Sequence, residues 1–217
     1  MSNIVSFSQI LRERTKSGHR DTSGAGFMDD LISGRGTRED YVALVKQYYF
    51  IYEALENATE RMKNDPVAAA FITSKLTRLP ALKADLEFLI GEDWLEQIEA
   101  LPSTRAYVER IREVGATWSG GFIAHHYIRY LGDLSGGQII RTLMKRQFGF
   151  ETNGVGFYLF DEIAKPKQFK DTYKEQLDAV DWDEAERDRV IDEVILAYEF
   201  NGLVFDDLAR AKAAAAA

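Results

Sequence analysis

The chain of 217 residues has no cysteine, four prolines and three histidines, His19, His125 and His126. Without cysteine there is no disulfide, no Cys-ligated zinc, no iron–sulfur cluster and no cysteine nucleophile. An excess of positive charge is missing too: 27 Lys+Arg stand against 35 Asp+Glu, a net charge of −8. Nucleic acid is therefore not an expected partner, because phosphate binding needs clustered cations. No apolar run reaches the 18 or so residues of a membrane span, and the polar first turn does not make an export signal. The expected location is the cytoplasm, with no membrane attachment.

What is present is globular. Apolar residues make up 46%, charged residues 29% and aromatics 12% of the chain, too much buriable surface for disorder. The periodicity is helical nearly throughout. Ser6-Phe7-Ser8-Gln9 has the spacing of a capping box and opens an amphipathic segment toward His19. Gly24-Ala25-Gly26 breaks it, and a short helix from Phe27 to Ile32 stops at Gly34. Thr37 caps a long helix in which Tyr41, Leu44, Val45, Tyr48, Ile51, Tyr52 and Leu55 recur at three- and four-residue steps, ending at Asn64-Asp65-Pro66.

Shorter pieces are expected over 68–71, 80–90 and 94–100, with another helix starting at Ser103 or Thr104. A long helix should run from Phe122 to Phe148, followed by helices over 161–177 and 184–211. Alternating strand patterns and hairpin turns are missing. The expectation is an all-α fold, one domain over 1–212, with the alanine-rich residues 213–217 as a disordered tail.

The segment from Tyr127 to Gln138 is helical in pattern yet holds Gly132, Gly136 and Gly137. Three glycines cost a helix about 3 kcal/mol relative to alanine. Close helix packing is one explanation. A bare, kinkable backbone face for a large flat ligand is the other, since Gly132 and Gly136 are i, i+4. Asp133 follows Arg129 at i+4, so the two can interact beside that face or form a solvated pair. His19 is a candidate metal ligand, with Arg12 two turns earlier and about 10.5 Å up the same face. That is the separation of a metal centre from the carboxylate edge of a porphyrin. His125 and His126 are about 100° apart on a helix, cannot grip one metal together and read as structural. Lys170 and Lys174 share a face, with Lys167 nearby; they are a solvated stripe or a clamp for a dicarboxylate. A di-iron carboxylate site is excluded, because no histidine has Glu three positions before it.

The segment His125-His126-Tyr127-Ile128-Arg129-Tyr130-Leu131-Gly132-Asp133-Leu134-Ser135-Gly136-Gly137-Gln138 closely resembles the distal-helix signature of haem oxygenases. The likeness spans about Ser8 to Leu208, including Phe27-Met28 and the late Phe200-Asn201, and is closest to bacterial enzymes of the iron-acquisition type. The resemblance implies an all-helical fold with haem b sandwiched between a proximal helix bearing His19 and a glycine-kinked distal helix. His19 would ligate the iron. Gly132 and Gly136, with Gly137 beside them, would lie on the distal face. Asp133 would anchor ordered water beside bound O2, helped by Arg129 and Tyr130. Arg12, Lys170, Lys174 and Tyr127 would hold the propionates, and Asn201 belongs to the same haem-binding set. Where the family often carries Glu four residues after the axial histidine, this chain has Ser23, so that partner for the imidazole is absent.

The implied reaction is cleavage of haem at the α-meso carbon to biliverdin IXα, CO and Fe2+. It uses O2 and electrons from an external reductase or ferredoxin, since the chain has no flavin or nicotinamide motif; the expected unit is a monomer. Two other readings compete. A haem carrier or sensor would share His19 and the propionate clamp without needing Asp133 or the glycine face. A thiaminase-type helical hydrolase would need the missing cysteine.

Overall fold

The computed structural model describes residues 5–16 and 26–215. All regular structure among them is helical: α1 (Phe7–Arg14), α2 (Gly26–Ser33), α3 (Arg38–Met62), α4 (Leu79–Ile90), α5 (Pro102–Thr117), α6 (Ser119–Gly132), α7 (Gln138–Phe148), α8 (Pro166–Ala179) and α9 (Glu184–Ala215). His19 and Ser23 lie outside the described residues.

Helix starts follow local chemistry. Ser6 and Gln9 form a reciprocal capping box on α1, and Thr37 and Asp40 form one on α3. Pro102 and Pro166 open α5 and α8 at first-turn positions, where a missing N–H costs nothing. Both starts differ from the sequence-based expectation. The expected helix over 94–100 is a single 3₁₀ turn, Trp94–Gln97. Alanines 213–215, expected to be disordered, continue α9 in helical form and are exposed; alanine has the highest helix propensity.

The centre of the fold is α3. Tyr41, Leu44, Val45, Ile51, Tyr52 and Leu55 on it are fully buried, and it packs against α4 and α5. Burying each such side chain stabilises the fold by about 1.5–3 kcal/mol. Helix α9 lies along α5 and α6. Close approach requires Gly120 on α6, where a Cβ would sit 2.8 Å from Val190 of α9.

The expected single helix from 122 to 148 is two helices joined by a π turn, Asp133–Gly137. Such turns widen the backbone by one residue and occur where a helix serves a function. Here the widened segment carries Asp133, Gly136 and Gly137, and Gly132 immediately precedes it.

Candidate active site

The π turn presents two surfaces. Outward, Gly132 and Gly136 are exposed, and a Cβ added at either would meet nothing within 4 Å. The backbone there faces open space, with no side chain of its own to obstruct a planar ligand. Gly137 differs: a Cβ there would lie 2.8 Å from the Tyr158 ring. It is glycine because the turn packs on Tyr158, so its explanation is packing rather than an open face.

Inward, the turn delivers Asp133, only 6% exposed, into a polar cluster. The expected direct pair with Arg129 is not among the ion pairs of the described residues. A hydroxyl from α3 mediates instead: Tyr52 donates to Asp133 Oδ2 and accepts from Arg129 Nε at 3.3 Å. The Arg129 guanidinium lies over Tyr48 at 4.5 Å and Tyr52 at 5.0 Å, and its Nη1 donates to Asn201 Oδ1 at 2.6 Å. Asn201 in turn donates to the Ala197 carbonyl at 2.7 Å. Asn201, expected in the haem-binding set, is thus buried and bonded to Arg129. Tyr130 is also interior, its ring 5.7 Å from Tyr52 and 4.5 Å from His126.

Burial pushes the Asp133 carboxyl up to about 6, against the opposing pull of Arg129, the Tyr52 hydrogen bond and Arg78. A carboxyl so placed changes protonation close to neutrality, the range that suits proton transfer. Tyr52 itself is pushed far up, mainly by burial, and stays a neutral donor.

The remaining candidates lie on α1, α6 and α8. Lys170 Nζ donates to Ser135 Oγ at 2.7 Å and approaches the Leu134 carbonyl at 3.5 Å. An ammonium has three protons, so one donor stays available. Burial and the neighbouring charge of Lys174 lower its pKa, which places the two lysines together. Lys167 is different: it is exposed and pairs with Asp171. Arg12 is exposed on α1, and its charge offsets part of the burial-driven rise in the Tyr127 phenol.

His125 and His126 are buried away from the glycine face. His125 Nε2 bonds to Glu193 at 2.8 Å, and Glu193 also receives Arg110; His126 Nδ1 bonds to the Tyr173 hydroxyl at 2.9 Å. No cluster of three or more His, Asp or Glu side chains able to hold a metal occurs among the described residues. A cavity of about 830 Å³, lined by Arg61, Met62, Asn64, Asp65 and residues 115–119, shares no residue with the glycine face. No helix among the described residues is long and apolar enough to cross a membrane.

Sequence reasoning missed Tyr48 and Tyr52 as site residues. Their i, i+4 spacing on α3 marked them, but as core. Arg78 was missed as well, having no local pattern to single it out.

The chain is similar to known proteins. A family model described as "Heme oxygenase" matches residues 5–207. "Heme oxygenase 1" of Nostoc sp. is 38% identical over 199 residues, 91% of this chain and 84% of that protein. The solved structure of heme oxygenase-1 from the cyanobacterium Synechocystis sp. in complex with heme has a TM-score of 0.89 at 32% identity, covering 98% of each chain. Heme oxygenase-2 of Synechocystis sp., in complex with heme and NO, gives 0.92 at 31% identity, covering 97% of this chain and 88% of that one.

Proposed function

The chain belongs to the haem oxygenase family, whose reaction is the cleavage of haem to biliverdin, and from that membership we propose how its residues perform the reaction. His19 would ligate the iron of haem b, and the Gly132/Gly136 backbone would line the haem site. When bound, haem supplies both the iron at which O2 is reduced and the ring that is oxidised. The structure's fit to that ligand rests on one observation: two glycines facing open space flank a buried carboxylate.

The protein's own work is positional and protonic. Bare backbone leaves a low ceiling over the ring and offers no basic side chain to pull an O–O bond apart. Tyr52 occupies Asp133 Oδ2, so Oδ1 is the atom that orders water above the substrate. With its carboxyl at about 6, Asp133 is mostly ionised at neutral pH and returns protons through that water. Arg129, held by Asn201, Tyr48 and Tyr52, keeps the carboxylate ionised. Arg12, Tyr127, Lys170 and Lys174 hold the propionates and fix which edge of the ring is presented, giving α-meso cleavage. Electrons come from a separate reductase or ferredoxin, the working unit is a cytoplasmic monomer, and the physiological yield is iron released from haem.

Adding haemin, a reductant and air to the protein tests this reading. Conversion of the Soret band into the absorbance of biliverdin, with CO released, is the expected result. A haem complex that survives these conditions would make the protein a carrier.

A further inference from the structure

Gln138, the first residue of α7, has no part in the scheme above. Its Nε2 donates to two main-chain carbonyls, Asp133 at 3.2 Å and Tyr158 at 2.9 Å. One lies in the π turn and the other in the 3₁₀ turn Gly156–Tyr158. In an unbroken α-helix the carbonyl of residue 133 would accept from the N–H of residue 137. The wider π period takes that carbonyl out of register, and a carboxamide five residues on reaches it.

The second anchor is itself fixed. Asp85 on α4 accepts from the N–H groups of Gly156 at 2.9 Å and Phe157 at 2.7 Å. Arg78 donates to the carbonyls of Phe157 at 3.2 Å and Leu159 at 2.5 Å, with its guanidinium 4.1 Å from the Phe160 ring centre. The Tyr158 ring from this turn lies where a Cβ on Gly137 would be, and Phe157 packs 4.9 Å from Tyr52. The 3₁₀ turn is thus a rigid abutment touching the π turn and the Asp133 donor together.

We propose that Gln138 is a positioning residue for haem cleavage, clasping the Asp133–Gly137 turn in its widened form against the Gly156–Tyr158 turn. Closing the π turn to a regular helix would remove one residue of register, a rotation of about 100° between α6 and α7. Asp133 could not then point inward to Tyr52 while the two open glycines face outward. The clasp itself follows from the bond pattern, while its effect on catalysis rests on the reading of Asp133 given above.

Gln138→Met keeps the length of the side chain and removes both donors. In the haem-free chain, amide exchange over residues 133–138 should accelerate about tenfold, while residues 107–111 of α5 stay unchanged. In the haem-loaded protein, affinity should hold within about threefold. Biliverdin formation should fall about tenfold, and the acid limb of its pH profile should move. Unchanged exchange, or wild-type cleavage with a wild-type pH profile, overturns the proposal. If the Met variant does not fold, Gln138→Glu keeps the shape and loses the donor on ionisation; relative to wild type it should cleave better in its acid form, and equal ratios across pH count against the clasp. Asp133→Asn runs in parallel. Full cleavage by that variant would remove the catalytic reading of Asp133, while the exchange result would still judge the clasp.

Discussion

Tyr52 on α3 donates its phenolic hydrogen to Asp133, 81 residues further along the chain, and the same hydroxyl accepts from Arg129. The hydroxyl therefore stands between a buried cation and a buried anion that would otherwise be one turn apart on a single helix. It passes the influence of the guanidinium to the carboxylate.

Tyr52→Phe tests that arrangement. The lost hydrogen bond favours the ionised carboxylate, so removing it raises the Asp133 pKa further above its present value of about 6. Hydrogen bonds to charged groups contribute about 1.5–3 kcal/mol, or roughly one to two pKa units. With ionised Asp133 as the proposed active form, cleavage in the variant should begin to fail about one unit higher as pH is lowered. Superimposable pH–rate profiles for wild type and variant would remove Tyr52 from the site.

Asp133 should also be a stability liability. Its folded-state pKa is raised from 3.8 to about 6, so the folded state binds more protons than the unfolded state between those values. Stability therefore declines as pH rises through that window and stays reduced above it. Asp133→Asn removes the penalty. At pH 7 to 8 the variant should be more stable by on the order of 1–3 kcal/mol, a rise in Tm of about 2–10 °C. The gain should fade as pH falls toward about 4. The same variant should bind haem yet lose biliverdin production and oxidise peroxidase dyes with peroxide. A thermal midpoint that drops at neutral pH would contradict the assigned burial penalty.

The contrast between what the sequence reveals and what it hides follows from distance along the chain. Helix α3 was legible because its seven apolar positions repeat at one period within one segment. The π turn was not, since inserting one residue leaves the apolar pattern on either side intact; only the three glycines hinted at it. Arg129 and Asp133 were legible as neighbours, but the hydroxyl between them arrives from another helix, so the pair looked direct. For Asn201, which the resemblance placed in the haem-binding set, tertiary structure adds its bond to Arg129, a partner 72 residues away that no local pattern reveals.

The glycines of the turn separate into two classes by what surrounds them. At Gly132 and Gly136 an added methyl meets open space, so alanine should leave the haem-free fold as stable as before or slightly more so, by up to about 1 kcal/mol each from helix propensity. Haem affinity should nonetheless drop, because the methyl occupies the ligand's side. Gly137→Ala should do the reverse in order of cause. Its methyl would lie 2.8 Å from Tyr158, so the free protein should lose about 1–3 kcal/mol from overpacking. Thermal melts and haem titrations of the three variants decide this; equal behaviour of Gly136 and Gly137 would refute the division.

His19 is the proposed iron ligand, on the resemblance to the family. His19→Ala should lose the imidazole-ligated spectrum of the ferric haem complex, and added imidazole should restore it. Identical ferric spectra from wild type and variant would mean that another group holds the iron.

Lys170 and Lys174, together with Arg12, should decide which meso carbon is attacked. Haem is close to symmetric about its α–γ axis apart from its peripheral groups, so apolar contacts alone do not fix its rotation in the plane. The propionates are its charged handles. Lys170 is held over the π turn by Ser135, one helical turn from Lys174, which gives those handles a fixed reference to the same backbone that carries Asp133. Each partly exposed ion pair contributes roughly 0.2–1 kcal/mol. With 1.4 kcal/mol per factor of ten, losing both pairs lets a misrotated ring appear at the level of several per cent or more. Wild-type protein should give α-biliverdin alone. The double variant K170E/K174E, which replaces attraction by repulsion, should still bind haem but yield β or δ isomers beside α. Chromatography of the products reads the outcome directly: a single α isomer from the double variant would show that steric contacts, and not these lysines, seat the ring.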